Sequence, residues 1–171
     1  MLAGALELMQ VPGMAECEHG HEGGAGLSGR DLHRALAAAD DRCARAGERM
    51  TQPRRRALEL LLGAGRPMKA YDLIDSFGED GRAAKPPTVY RALDFLSKQG
   101  LAHRIEVLNA YVACELGERR HSAAFLICDC CGATEEIEPF SSDQIRAAAA
   151  TAGYVIEQVT IEARGRCPAC A

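Results

Sequence analysis

With 171 residues, 47% of them hydrophobic and 26% charged, the chain can form one medium domain or two small ones with modest cores. The opening run Met1-Leu2-Ala3-Gly4-Ala5-Leu6 meets Glu7 too soon to be a secretory or membrane segment, so a soluble, cytoplasmic protein without a membrane partner is expected. A net charge of -4 argues against a nucleic-acid partner for the chain as a whole, yet residues 1–41 carry -5, residues 42–104 carry +6 and residues 105–171 carry -5.

A basic island between acidic flanks is what a phosphate-binding module joined to an acidic one would present, and a solvated basic face would look the same. Residues 1–27 are Gly-rich and acidic with little periodicity and read as a flexible tail. Within it Cys17, His19 and His21 offer metal-binding groups at close spacing, although an incidental polar tail is the simpler reading. Ser28-Gly29-Arg30-Asp31 has the spacing of a capping box and opens an Ala-rich helix toward Ala46-Gly47. A second helix is expected from Thr51-Gln52-Pro53 to Gly63-Ala64-Gly65, burying Ala57, Leu58, Leu61 and Leu62. Arg54, Arg55 and Arg56 in its first turns cannot share one face and oppose the macrodipole, so they are expected to spread over phosphate and solvent. A short helix from Lys69 puts Ala70, Leu73, Ile74 and Phe77 on a core face. Tyr71 lies off that face, either as plain surface or as a contact to a base or phosphate.

From Lys85 to Gly100, proline at the start and glycine at the end delimit a helix whose buried stripe is Val89, Ala92, Leu93 and Leu96. Thr88, Tyr90, Arg91 and Lys98 face outward or flank the stripe. Arg and hydroxyl groups near the N-terminal end of such a helix are what a major-groove reader presents to base edges. Arg91 is the candidate base contact, and Lys85 and Arg54 are candidate phosphate contacts. Strands up to Val107 and from Ala110 to Cys114, around a turn at Leu108-Asn109, form a hairpin, and helices followed by a hairpin make a winged helix over residues 28–113.

Residues 114–171 form a second, smaller α/β unit. Phe125–Cys128 and Glu135–Glu138 read as strands, Ser141 or Ser142 caps a helix through Ala152-Gly153, and Tyr154–Ala163 alternates with Val155, Val159 and Ile161 on one face. Cys128-Asp129-Cys130-Cys131 and Cys167-Pro168-Ala169-Cys170 are two knuckles whose thiolates Cys128, Cys131, Cys167 and Cys170 would complete a closed tetrahedral cage for a structural Zn2+. A disulfide pair is the alternative. Eight cysteines without a signal peptide fit a reducing compartment, where thiols serve metals more often than disulfides.

Pro86-Pro87-Thr88-Val89-Tyr90-Arg91-Ala92-Leu93, the hairpin and the two knuckles together resemble the ferric uptake regulator superfamily, closest to its zinc uptake regulator branch, over roughly residues 30–171. The resemblance implies an α+β homodimer, each chain with an N-terminal winged-helix DNA-binding domain and a small α/β dimerisation domain carrying the four-cysteine zinc site. It implies a repressor that binds double-stranded operator DNA and controls zinc-uptake genes when zinc is plentiful. It further implies a second, regulatory zinc held by His103, Cys114, His121 and Glu136, making two Zn2+ per chain, and this mixed set of imidazole, thiolate and carboxylate suits four-coordinate zinc. Strand alternation admits only one of Glu135 and Glu136 inward, and the family spacing from Cys131 selects Glu136. The sequence departs from the family in Thr51-Gln52-Pro53-Arg54, where Thr-Pro-Gln-Arg is usual, and in the extra thiol of Cys130.

An enzyme is not expected. A zinc deaminase needs His-x-Glu with Pro-Cys-x-x-Cys, and Cys167 follows Arg166; a His-Glu-x-x-His motif is absent as well, and nothing points to a small-molecule substrate. A regulator of the same superfamily that senses another metal, or peroxide through thiol oxidation, is the remaining alternative, kept open by the adjacent Cys130 and Cys131.

Overall fold

The computed structural model describes residues 26–78, 84–114, 123–137, 142–156 and 159–171. Helices α1 (Gly29–Arg45), α2 (Gln52–Ala64), α3 (Ala70–Ser76) and α4 (Pro86–Lys98) pack around a core of Leu36, Leu58, Leu61, Leu73, Val89 and Leu93. The short strand β1 (Met68–Lys69) joins the hairpin of β2 (Ala102–Ile105) and β3 (Ala110–Ala113) in an antiparallel sheet of order β1-β3-β2. A second sheet, of order β5-β4-β6, contains β4 (Ala123–Cys128), β5 (Thr134–Ile137) and β6 (Thr160–Gly165), with α5 (Asp143–Thr151) between β5 and β6 in the chain. β4 pairs antiparallel with β5 and parallel with β6. A parallel pair requires a crossover, and the α5 segment supplies it. Among the described residues no helix is long and apolar enough to cross a membrane.

The helices begin and end where their punctuation places them, but the caps differ in chemistry. Ser28 occupies the N-cap of α1 in extended conformation without a side-chain cap bond. Gly47 ends the helix at φ 72°, a left-handed turn in which its N–H donates to the Ala44 carbonyl. The last two residues read as tail are in fact docked: the Leu27 N–H donates to the Leu62 carbonyl, and a Cβ on Gly26 would sit 1.8 Å from the Gly63 carbonyl oxygen.

The three consecutive arginines also differ from expectation. Arg55 pairs with Asp40 of α1. Arg56 reaches Glu59 at 2.9 Å and the carbonyls of Ser76 and Phe77, at the C-terminus of α3 where a cation complements the dipole. Internal carboxylates and carbonyls thus absorb charge that the sequence alone assigned to phosphate and solvent.

Two further expectations are corrected. β2 stops at Ile105, so the hairpin closes through four residues, Glu106 to Asn109, with Asn109 at φ 47°. β6 begins only at Thr160, because its ladder is limited to the six residues of β4; Tyr154 and Val155 lie outside the strand, 70% and 92% exposed. The predicted inward face therefore holds for buried Val159 but not for Val155.

The hairpin belongs to both halves of the molecule. By strand alternation one face sends Ala102, Tyr111 and Ala113 into the helical core. The other face sends Ile105 and Val112, with Leu108 from the turn, against Ala123, Phe125 and Ile127 of β4, in a separate apolar cluster.

Candidate metal centres and nucleic-acid interface

Four sulfurs converge where the ends of β4 and β6 meet. Cys128 closes β4, Cys131 lies in the turn that Gly132 completes at φ 72°, and Cys167 and Cys170 follow β6. The ligand atoms of Cys128, Cys131, Cys167 and Cys170 all lie within 4.8 Å of one another. Cys131 Sγ and Cys167 Sγ are 3.7 Å apart, too far for a disulfide. With Zn–S bonds of about 2.3 Å, a tetrahedral edge spans roughly 3.8 Å, so the spacing suits zinc. The pKa of the Cys128 thiol is lowered to about 6 by backbone N–H groups aimed at its sulfur, chiefly those of Cys131 and Cys167, the latter at 3.3 Å. Such a sulfur is a thiolate at neutral pH, the form a metal needs. None of the described cysteines is in a disulfide. Arg164 ties the first knuckle to the end of β6 by gripping Asp129 Oδ1 at 2.7 Å through Nε and Nη2, while the Asp129 N–H donates to the Gly165 carbonyl.

The second cluster joins the two halves. His103 projects from β2 toward β4, Cys114 follows β3 and Glu136 lies on β5, and their ligand atoms again lie within 4.8 Å of one another. His103 Nε2 is 3.3 Å from Glu136 Oε1, and the two side chains are only 4% and 3% exposed. The choice between the adjacent glutamates is made by register: Glu136 pairs with Phe125 on the buried face, and Glu135 is exposed. Phe125 packs edge-on to the His103 ring at a centroid distance of 5.6 Å, a positioning contact that only the packing of β2 over β4 reveals. A carboxylate in such a dry site is costly unless its charge is compensated, and imidazole, thiolate and carboxylate together are a borderline donor set suited to Zn2+. His121, expected as the fourth member, lies outside the described residues.

On the helical half, the residues expected to meet DNA are distributed as follows. Lys85, Tyr90 and Arg91 are exposed and Thr88 is half-buried, all in or next to the first turns of α4; Tyr71 on α3 is 72% exposed. Arg54 is placed differently. Its guanidinium lies over the Phe95 ring at 3.5 Å from the centroid, which links α2 to α4, and donates to the Arg49 carbonyl ahead of α2. The sequence could not reveal that stacking, since Phe95 meets Arg54 only when α2 crosses α4.

Comparison with known proteins agrees with this arrangement. The model of the ferric uptake regulator family matches residues 45–164. The zinc uptake regulation protein of Escherichia coli (strain K12) is 43% identical over 137 residues, covering 79% of this chain and 80% of that protein. The protein of the same name from Shigella flexneri matches with the same identity and coverage. Among solved structures, a zinc uptake regulator complexed with zinc and DNA aligns with a TM-score of 0.76 at 40% identity, over 83% of this chain and 96% of that one. Holo XcZur aligns with a TM-score of 0.71 at 41% identity, over 79% and 95%.

Proposed function

Since the chain belongs to the ferric uptake regulator family, we propose that it is a zinc-responsive transcriptional repressor that binds operator DNA as a zinc-loaded homodimer and controls zinc-uptake genes. The observation that carries this reading is the cluster of His103, Cys114 and Glu136, whose members come from the wing, the residue that follows β3 and the second sheet. Zn2+ bound there would join three parts of the chain that lie apart in sequence, with His121 as the fourth ligand. Cys128, Cys131, Cys167 and Cys170 hold the second, structural zinc, giving two per chain. Thiolate content separates the two roles: four sulfurs bind zinc far more tightly than a mixed set.

The homodimer is supported by apolar surface on the second half. Helix α5 buries none of its residues, and Ile145 on it, Tyr154 and Val155 after it, and Leu126 on β4 are all exposed. A second copy covering them would bury the apolar surface that this half of the chain leaves open.

In the nucleic-acid interface Arg91 reads a base, Tyr71, Thr88 and Tyr90 assist, and Lys85 meets a phosphate. Arg54 supports the interface from beneath through Phe95. Arg91→Ala therefore costs about 1–3 kcal/mol on operator and flattens base preference. Lys85→Ala weakens operator and random duplex alike and lowers the salt slope. Binding titrations on both duplexes at several salt concentrations check the pair, and equal losses on the two duplexes for Arg91→Ala would move it among the phosphate contacts.

The function itself is tested by fluorescence anisotropy against a duplex selected from a random library by the zinc-loaded protein, titrated with buffered free zinc, with iron and manganese as controls. Binding that follows zinc alone is expected. Binding that is indifferent to metal, or that follows thiol oxidation instead, overturns the reading.

A further inference from the structure

The wing turn is held by a carboxylate that neither cysteine-bearing cluster uses. Glu162, half-buried on β6, accepts hydrogen bonds from two backbone N–H groups far away in sequence: that of Glu106, 2.7 Å from Oε1, and that of Val107, 3.0 Å from Oε2. Each carboxylate oxygen takes one donor, so the contact sets orientation as well as distance, and hydrogen bonds to an ionised acceptor are the stronger kind. Its two donors are the amides that follow directly after the last residue of β2, Ile105. The clamp therefore explains why the strand ends earlier than its sequence suggests.

Register gives the contact its meaning. Phe125 of β4 is paired on one side with Glu136 of β5 and on the other with Glu162 of β6, so the three form one rung across the second sheet and share a face. That rung grips the wing hairpin at successive points: Glu136 and Phe125 on His103, and Glu162 on the turn. We propose that Glu162 is a positioning residue for operator binding, a metal-independent clamp that fixes the wing on the second half and acts in parallel with the cluster of His103, Cys114 and Glu136. The orientation of α4, which precedes the wing directly, then depends on both attachments. Neither suffices by itself to hold all molecules in the binding geometry, and losing the clamp lowers the competent fraction even when zinc is saturating.

This rests on the repressor reading, and its test separates the two. Full-length, zinc-loaded wild type, Glu162→Ala and Glu162→Gln are compared for binding to the selected operator duplex and to a random duplex, for zinc content, and for hydrogen exchange at the Glu106 and Val107 amides. Glu162→Ala is expected to bind operator about tenfold more weakly at saturating zinc. Random-duplex affinity and zinc content should stay unchanged, and exchange at the two wing amides should quicken. Glu162→Gln, which keeps one accepting oxygen, should recover part of the loss. Operator affinity equal to wild type in Glu162→Ala, an equal loss on both duplexes, or unchanged exchange at the wing amides overturns the clamp. Absence of zinc-dependent operator binding in the wild type overturns the repressor reading instead, and the exchange rates then decide the clamp on their own.

Discussion

His103→Ala and Cys114→Ser are each expected to lower operator affinity by about a hundredfold at a free-zinc level that saturates the wild type, while weak binding to random duplex persists. The expectation follows from where the side chains originate: His103 on the wing, Cys114 after β3 and Glu136 on β5. A dimer reads two half-sites about one helical turn apart, roughly 34–36 Å, only if its two recognition helices are held at that separation. If about one molecule in a hundred holds it without the regulatory cluster engaged, the apparent dissociation constant rises a hundredfold, or about 2.7 kcal/mol, with no DNA contact altered. Cys114→Ser is the cleaner variant, because it keeps size and hydrogen-bonding capacity, whereas His103→Ala also leaves the Glu136 carboxylate buried against a cavity. By linkage, operator DNA must tighten zinc binding at this cluster by the same factor, which calorimetry with and without duplex measures. A zinc affinity indifferent to DNA would sink the coupling between the cluster and the interface, even for a functioning repressor.

Cys128→Ser is expected to have the larger effect on stability. Structural zinc sites contribute apparent binding energies of about 10–16 kcal/mol to the fold they close, and Cys128 is the sulfur on which the backbone N–H groups of both knuckles converge. Among the described residues, β6 is an edge strand whose ladder partner is β4, α5 buries nothing, and Arg164 of β6 pairs with Asp129 of the first knuckle. Replacement by serine should release the structural zinc, lower the melting temperature sharply and dissociate the dimer. Mild chelation of the wild type should instead remove one zinc per chain and leave the dimer intact, as metal analysis with sedimentation would show. If the first zinc lost is the one whose loss dissociates the dimer, the structural and regulatory assignments of the two clusters are reversed.

Both centres were legible to different degrees. The four-cysteine set could be read directly, because each knuckle is a local turn whose ligand spacing is a property of the chain itself. The mixed cluster could be proposed only through family resemblance, since His103, Cys114 and Glu136 carry no local pattern that joins them. Its two glutamate candidates were separated by the pairing of Glu136 with Phe125. Arg54 shows the opposite case, in which a residue type suited to phosphate is engaged by an aromatic ring on another helix.

What the sequence by itself determined is whatever depends on neighbours along the chain: the four helices of the first half, their stops at Gly47 and Gly65, the buried stripe of α4, and the two cysteine knuckles. Those features follow from backbone propensity and from periodicity of 3.6 residues, which act within a few turns. Tertiary structure alone decided where strands end and which charges meet. β6 is shortened to the length of β4, β2 stops where Glu162 takes its next two amides, and Arg55 and Arg56 find partners on α1 and α3. Ladder length and ion pairing depend on a partner strand or helix tens of residues away, and a carboxylate such as Glu162 acquires its role only when the rung it shares with Phe125 and Glu136 is laid against the wing.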